Sequence, residues 1–126
     1  MADPQQPAPT VLVVEDDFAA RESLAALLRQ RGHQVATARN GTVAVALLAS
    51  WVDPDIVILD VLVSDGRRFV DELRRSRPRA VPVILTGRVD LSARWPGVVG
   101  FLYKPVDEGE LVATIGQALK RRVGSL

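Results

Sequence analysis

The residues able to do chemistry in this chain each follow an apolar run. Glu15 and Asp16 close TVLVV, Asp60 closes DIVIL, Thr86 closes VPVIL, and Lys104 comes directly after VVGFLY. Runs of branched apolar residues with few polar interruptions read as strands buried on both faces, the mark of a parallel sheet. In open parallel sheets, ligand chemistry collects just beyond the carboxyl ends of the strands. If these four ends are neighbours, three carboxylates, a hydroxyl and an ammonium share one small pocket. Crowded carboxylates repel one another, so the cluster calls for a cation. All-oxygen ligation by few protein donors suits Mg²⁺, which keeps waters and bridges to phosphate. A magnesium-loaded carboxylate with a lysine and a hydroxyl nearby is equipment for phosphoryl transfer onto Asp60, forming an acyl phosphate. An aspartate after a strand is, on its own, more often a helix cap. The convergence of four strand ends is what outweighs that reading.

The elements that must position these groups follow in order along the chain. Met1 to Pro9 is rich in proline and glutamine and reads as a disordered tail. Thr10 to Val14 is a strand, and Phe18 to Arg31 a helix with Ala20, Leu24, Leu27 and Leu28 facing inward and Gly32 as its left-handed cap. Gln34 to Ala38 is a strand near an edge, because polar residues interrupt it; Asn40-Gly41 turns the chain into a helix over Thr42 to Ser50. The central strand, Asp55 to Asp60, leads through a loop with an Asp65-Gly66 turn to an arginine-rich helix over Arg67 to Arg77. Val81 to Thr86 is the next strand, Arg88 to Trp95 is short and weakly patterned, and Val98 to Tyr103 is the fifth strand. Asp107 and Glu110 form a capping-box-like pair ahead of a last helix with Leu111, Ile115, Ala118 and Leu119 inward. Strand and helix alternate five times with no internal repeat, so right-handed crossovers make a doubly wound parallel α/β sheet.

Composition narrows the function classes. A chain of 126 residues with net charge +1 is one domain, with no charge imbalance to favour nucleic acid or a membrane surface. It has no cysteine and one histidine, His33, which excludes thiolate chemistry and any site built from two imidazoles of this chain. No secretory signal or apolar run of the roughly 20 residues needed to span a bilayer is present, so a cytoplasmic location is expected.

The motifs VLVVEDD, PDIVILD, PVILTG and FLYKP, in this order and spacing, resemble the receiver domain of two-component response regulators over Thr10 to about Arg122. Residues 1–9 and 123–126 fall outside it as tails. The resemblance implies a flavodoxin-like five-stranded sheet in the order 2-1-3-4-5 with five helices. It also implies that Asp60 is the phosphoacceptor and that Glu15, Asp16, Asp60 and the backbone carbonyl of Leu62 hold Mg²⁺, with Asp16 the more direct ligand of the acidic pair. Thr86 and Lys104 correspond to the hydroxyl and ammonium that bond the phosphoryl oxygens, Phe101 to the aromatic residue that turns inward when Thr86 moves, and the Lys104-Pro105 bond to one commonly cis. A sensor histidine kinase or a histidine phosphotransfer protein would donate the phosphoryl group, and an unidentified output protein or domain would read the altered surface.

Departures from the family pattern set further expectations. Ser64 stands where proline is frequent, and Arg67-Arg68 stand where the family has Asp-Gly, with Asp65-Gly66 just ahead. Leu62 replaces a commonly polar side chain. Thr86 and Lys104 lie about four residues closer together than is usual, so the fourth helix should be short or distorted and dimerisation through its face is in doubt; weak or phosphorylation-dependent self-association stays open. Two rival functions remain. A phosphorylation-independent interaction module would keep the fold without the switch. A Mg²⁺-dependent phosphohydrolase would need a second acid/base aspartate where Leu62 stands. Other conspicuous residues read as structural: Asp17 as an N-cap, His33 as a surface residue, Trp51 and Trp95 as covers of helix ends (Trp95 also as a partner anchor), and the arginines from 67 to 79 as a solvated face.

Overall fold

A computed structural model describes residues 8–50, 52–77, 83–95 and 97–124. Its elements run β1 (Thr10–Val14), α1 (Phe18–Gln30), β2 (Gln34–Ala38), α2 (Gly41–Ser50), β3 (Ile56–Asp60), α3 (Gly66–Ser76), β4 (Val83–Gly87), a 3-10 turn (Ser92–Arg94), β5 (Val98–Tyr103) and α4 (Glu108–Gly124). The strands pair in parallel in the order β2-β1-β3-β4-β5. β3 lies at the centre and every one of its residues is buried.

Alternation along the strands splits the core into two layers. Leu12, Val14, Val57 and Leu59 face one way and meet Ala44 and Leu48 of α2 and Phe69, Val70 and Leu73 of α3. Val11, Val13, Ile56, Ile58 and Ile84 face the other way and meet Leu28 of α1 and Leu111, Ile115 and Ala118 of α4. Burying a side chain of this size contributes about 1.5–3 kcal/mol, so these two layers are what hold the strand ends in register.

Local signals in the sequence set the element ends. Asp17 accepts from the Ala20 amide (2.8 Å) to cap α1, and Gly32 takes the left-handed conformation just beyond that helix. Asn40 caps α2 through the Val43 amide (2.9 Å), and Asp107 caps α4 through the Glu110 amide (2.9 Å). The Lys104-Pro105 bond is cis.

The structure corrects several expectations. The fourth of the five expected helices is short, as its spacing led one to expect: among the described residues the β4–β5 connection holds a single 3-10 turn, because too few residues separate the strands for a helix to run back along the sheet. Ala20 is exposed rather than inward, since the first turn of α1 rises past the sheet; Ala25 takes the buried place instead. α3 starts at Gly66, so the Asp-Gly pair keeps its place at the helix start and the loop before it is shorter than the resemblance implies. α4 runs through Gly124. Pro9 is tied to β2 by the Gln34 amide (2.9 Å); the remainder of the expected N-terminal tail, residues 1–7, lies outside the described residues, as do Trp51, Arg79, the first two residues of the expected fourth strand and residues 125–126.

Candidate functional site

β1, β3 and β4 deliver the three polar side chains that are buried among the described residues: Glu15, Asp60 and Thr86. All three sit at the carboxyl end of the sheet. Asp60 and Thr86 are direct neighbours in the β3–β4 register, and the Glu15 amide bonds to the Ala38 carbonyl (3.0 Å) as β1 leaves the sheet beside β2. Burying a charge is costly unless it is paired. The pairing comes from Lys104, whose Nζ donates to Asp60 Oδ2 (2.7 Å) and to Glu15 Oε2 (2.8 Å). Lys104 is itself placed by its backbone amide, which donates to the Gly87 carbonyl (2.8 Å) at the end of β4.

The other oxygens of the pair are also engaged. The Leu62 amide donates to Asp60 Oδ1 (2.8 Å), and the Asp17 amide to Glu15 Oε1 (3.3 Å). Asp16 is exposed, and one carboxylate oxygen from each of Glu15, Asp16 and Asp60 falls within a 4.8 Å cluster. Burial, with the Asp60 charge adding to it, pushes the Glu15 carboxyl above its ordinary value although Lys104 opposes the shift. Burial also works against the Lys104 ammonium, but the hydrogen bonds and charges of Asp60 and Glu15 together outweigh it and hold the lysine above its ordinary value. The donor set therefore fits a hard divalent cation: three clustered carboxylates, one exposed and two buried, whose charge a single ammonium does not balance.

Thr86 is buried next to Asp60, and its backbone carbonyl accepts from the Val61 amide (3.0 Å). Phe101 is half-buried against the α2–α3 core layer, with its ring 5.0 Å from that of Tyr103 in an edge-on arrangement. A side chain at Gly87 would meet Phe101 Cζ at 3.4 Å, so the ring abuts the residue that follows Thr86. A cavity of about 310 Å³ adjoins Lys104 between α1 and the chain after β5, lined by Glu15, Thr86, Leu24, Leu27 and Leu111. Leu62, in the loop after Asp60, is 76% exposed.

Every site residue expected from the sequence thus lies at one end of the sheet. Reading the sequence missed what fixes the loop after Asp60. Gly41 and Thr42, at the start of α2, hold Ser64 and Asp65 by hydrogen bonds of 2.7 Å each. The Asn40-Gly41 turn signal was the only trace of it. It also missed that Trp95 lies under the Arg67 guanidinium, 4.7 Å from ring centroid, at the start of α3.

A family model described as the response regulator receiver domain matches residues 11–116, and the chain belongs to that family. Among its relatives are the response regulator MprA of Mycolicibacterium vanbaalenii, 37% identical over 88% of this chain and 50% of that protein, and the protein PilH of Pseudomonas aeruginosa, 33% identical over 86% of this chain and 96% of PilH. The chain spans about half the length of MprA and nearly all of PilH. The signal receiver domain of an HD domain-containing protein from Pseudomonas fluorescens superimposes with a TM-score of 0.83 at 26% identity, covering 98% of this chain and 96% of that one. A response regulator receiver protein from Pseudomonas putida gives 0.77 at 29%, covering 89% and 98%. The protein is a two-component receiver domain with a flavodoxin-like fold, the class of signalling switches. Among the described residues no helix is long and apolar enough to cross a membrane.

Proposed function

We propose that Asp60 accepts a phosphoryl group from a histidine of a sensor kinase or phosphotransfer protein, and that the modified pocket switches a partner-binding surface. One observation carries this reading: the ammonium of Lys104 bridges the two buried carboxylates, Asp60 and Glu15. A buried carboxylate already paired with a lysine and standing beside a buried hydroxyl is placed for new anionic oxygens. In the transfer, an Asp60 carboxylate oxygen bonds to phosphorus, the P–N bond to the donor histidine breaks, and the imidazole leaves neutral after taking a proton. Mg²⁺ held by Glu15, Asp16, Asp60 and the Leu62 carbonyl would neutralise charge on the phosphoryl oxygens. Lys104 pairs with one phosphoryl oxygen, and the Thr86 hydroxyl donates to another. Phe101, whose ring abuts Gly87, turns inward as Thr86 moves, which biases a two-state surface near β5. A hydrolase reading finds no support at Leu62, an exposed apolar residue where a second acid/base group would stand.

Intact-mass measurement after incubation with acetyl phosphate tests the proposal. A single phosphoryl adduct is expected with Mg²⁺, lost on chelation and absent from Asp60→Asn. Absence of an adduct in the wild-type protein, with beryllofluoride also failing to bind, would refute it in favour of a phosphorylation-independent module.

A further inference from the structure

The loop from Val61 to Asp65 is fixed at both ends in an unusual way. At its near end, the Leu62 amide donates to Asp60 Oδ1 (2.8 Å) and the Val63 amide to the Asp60 carbonyl (3.1 Å). At its far end the loop is attached to α2 as well as to its own helix, where the Asp65 carbonyl accepts from the Phe69 amide (3.0 Å). The Gly41 amide donates to the Ser64 carbonyl (2.7 Å), and Thr42 Oγ1 donates to Asp65 Oδ2 (2.7 Å). Asp65 occupies the N-cap position of α3 yet makes no capping bond there; its carboxylate serves Thr42. It is also the one non-glycine residue with positive φ (59°) among those described. Aspartate tolerates that region better than most residues, and a strained conformation persists only where surrounding contacts over-determine it. Those contacts are tight: a Cβ on Gly41 would stand 1.8 Å from the Asp65 carbonyl oxygen.

The geometry points to Thr42 and Asp65 as positioning residues for the acceptor pocket. They set the path of the short loop, and through the Leu62 amide they set the orientation of the Asp60 carboxylate; the same path would fix the Leu62 carbonyl as a cation ligand. The inference rests on the receiver reading proposed above. Neither residue touches the transferred group, so the expected effect is partial and runs through the loop.

The test compares Thr42→Val, Thr42→Ser and Asp65→Asn with the wild-type protein. Val removes the hydroxyl at nearly constant volume, Ser restores it, and Asn keeps both an acceptor oxygen and tolerance of positive φ. In Mg²⁺-free protein, hydrogen exchange at the Leu62 and Gly41 amides should be about fivefold faster in Thr42→Val, the effect of one net hydrogen bond. Mg²⁺ binding by calorimetry should weaken by about the same factor, as should the rate of acetyl phosphate labelling. Thr42→Ser and Asp65→Asn should stay within about twofold of wild type in all three. Wild-type exchange and Mg²⁺ affinity in Thr42→Val would overturn the inference, as would a loss that Ser does not rescue. If the wild-type protein takes no phosphoryl group, the receiver reading falls on that result, while the exchange comparison still decides whether the clamp orders the loop.

Discussion

Two loops flank the pocket at the carboxyl edge of the sheet, and they are held very differently. The loop after β3 is short and tied to Asp60 at one end and to α2 at the other by backbone and side-chain hydrogen bonds. The connection after β4 is held to α3 by long, flexible arginines. Arg67 reaches the Arg94 carbonyl (2.5 Å) and lies over Trp95, while the Arg74 guanidinium rests against Gly97. Val89, in the same connection, is 66% exposed. The first loop is fixed by hydrogen bonds at both ends; the second is tied mainly through side chains, with Trp95 packed against the α2–α3 core layer. In a switch the moving part and the chemical part must be separable, and here the separation follows from which atoms make the contacts. Local stability of this kind is set by buried contacts and fixed hydrogen bonds.

Adding one methyl group to each side gives the sharpest contrast. In Gly41→Ala the new carbon meets backbone atoms of Asp65 at 1.8 and 2.2 Å, so α2 and the acceptor loop must separate. A loss of about 3 kcal/mol in denaturant unfolding is expected, together with slower acetyl phosphate labelling. In Gly97→Ala the close neighbour is Arg74 Nη1 at 2.5 Å, the far end of a side chain that can swing away. What remains is the left-handed backbone (φ 79°), which costs about 1–2 kcal/mol for a residue with a Cβ. Labelling should be unaffected. Equal losses, or slowed labelling in both variants, would break the distinction between the loops.

A smaller effect is expected from Arg67→Gln, which removes the guanidinium from Trp95 and its bond to the Arg94 carbonyl. Because the contact is exposed, the cost should be about 1 kcal/mol. The more telling readout is indole emission in a Trp51→Phe background. It should report a more mobile Trp95, while Mg²⁺ affinity stays at the wild-type value. If Mg²⁺ affinity falls with it, the two loops are coupled more tightly than their contacts indicate.

The pocket was legible in the sequence because each reactive residue directly ends an apolar strand, and a parallel sheet necessarily gathers such ends. Glu15, Asp60, Thr86 and Lys104 needed only strand order to be brought together. The shortening of the fourth helix was legible in the close spacing of Thr86 and Lys104, though not its form as a 3-10 turn. Periodicity misplaced Ala20, because it assigns a helix face without knowing how far the helix extends past the sheet. The clamp of Thr42 on Asp65 left no signal beyond the Asn40-Gly41 turn, since it joins the starts of α2 and α3, 23 residues apart, through a single rotamer-dependent bond. Trp95 and Arg67 are 28 positions apart and meet only because the connection after β4 is short. Contacts of this type are set by tertiary packing, which neither propensity nor pattern encodes.

The weakest expected effect lies away from both loops, at His33, and it tests whether the comparison has a third party. His33 is half-buried just after α1, its Nδ1 is buried without a hydrogen-bond partner, and burial lowers its pKa below the ordinary value of 6.5. The folded state therefore holds this imidazole neutral at pH values where the unfolded chain would protonate it. As pH falls through 6.5 the unfolded state gains a proton that the folded state refuses, so stability declines until the lowered folded value is passed. Thermal unfolding of wild type from pH 7.5 down to pH 5 should include this decline, and His33→Gln, which cannot titrate, should show a shallower one. Exchange at the Leu62 amide, in contrast, should be the same in both proteins at any one pH, since His33 acts through the fold as a whole and not through the acceptor loop. A matching pH slope in the two proteins would mean that the buried nitrogen finds a partner on protonation, and a change at Leu62 would tie the loop to the far end of α1.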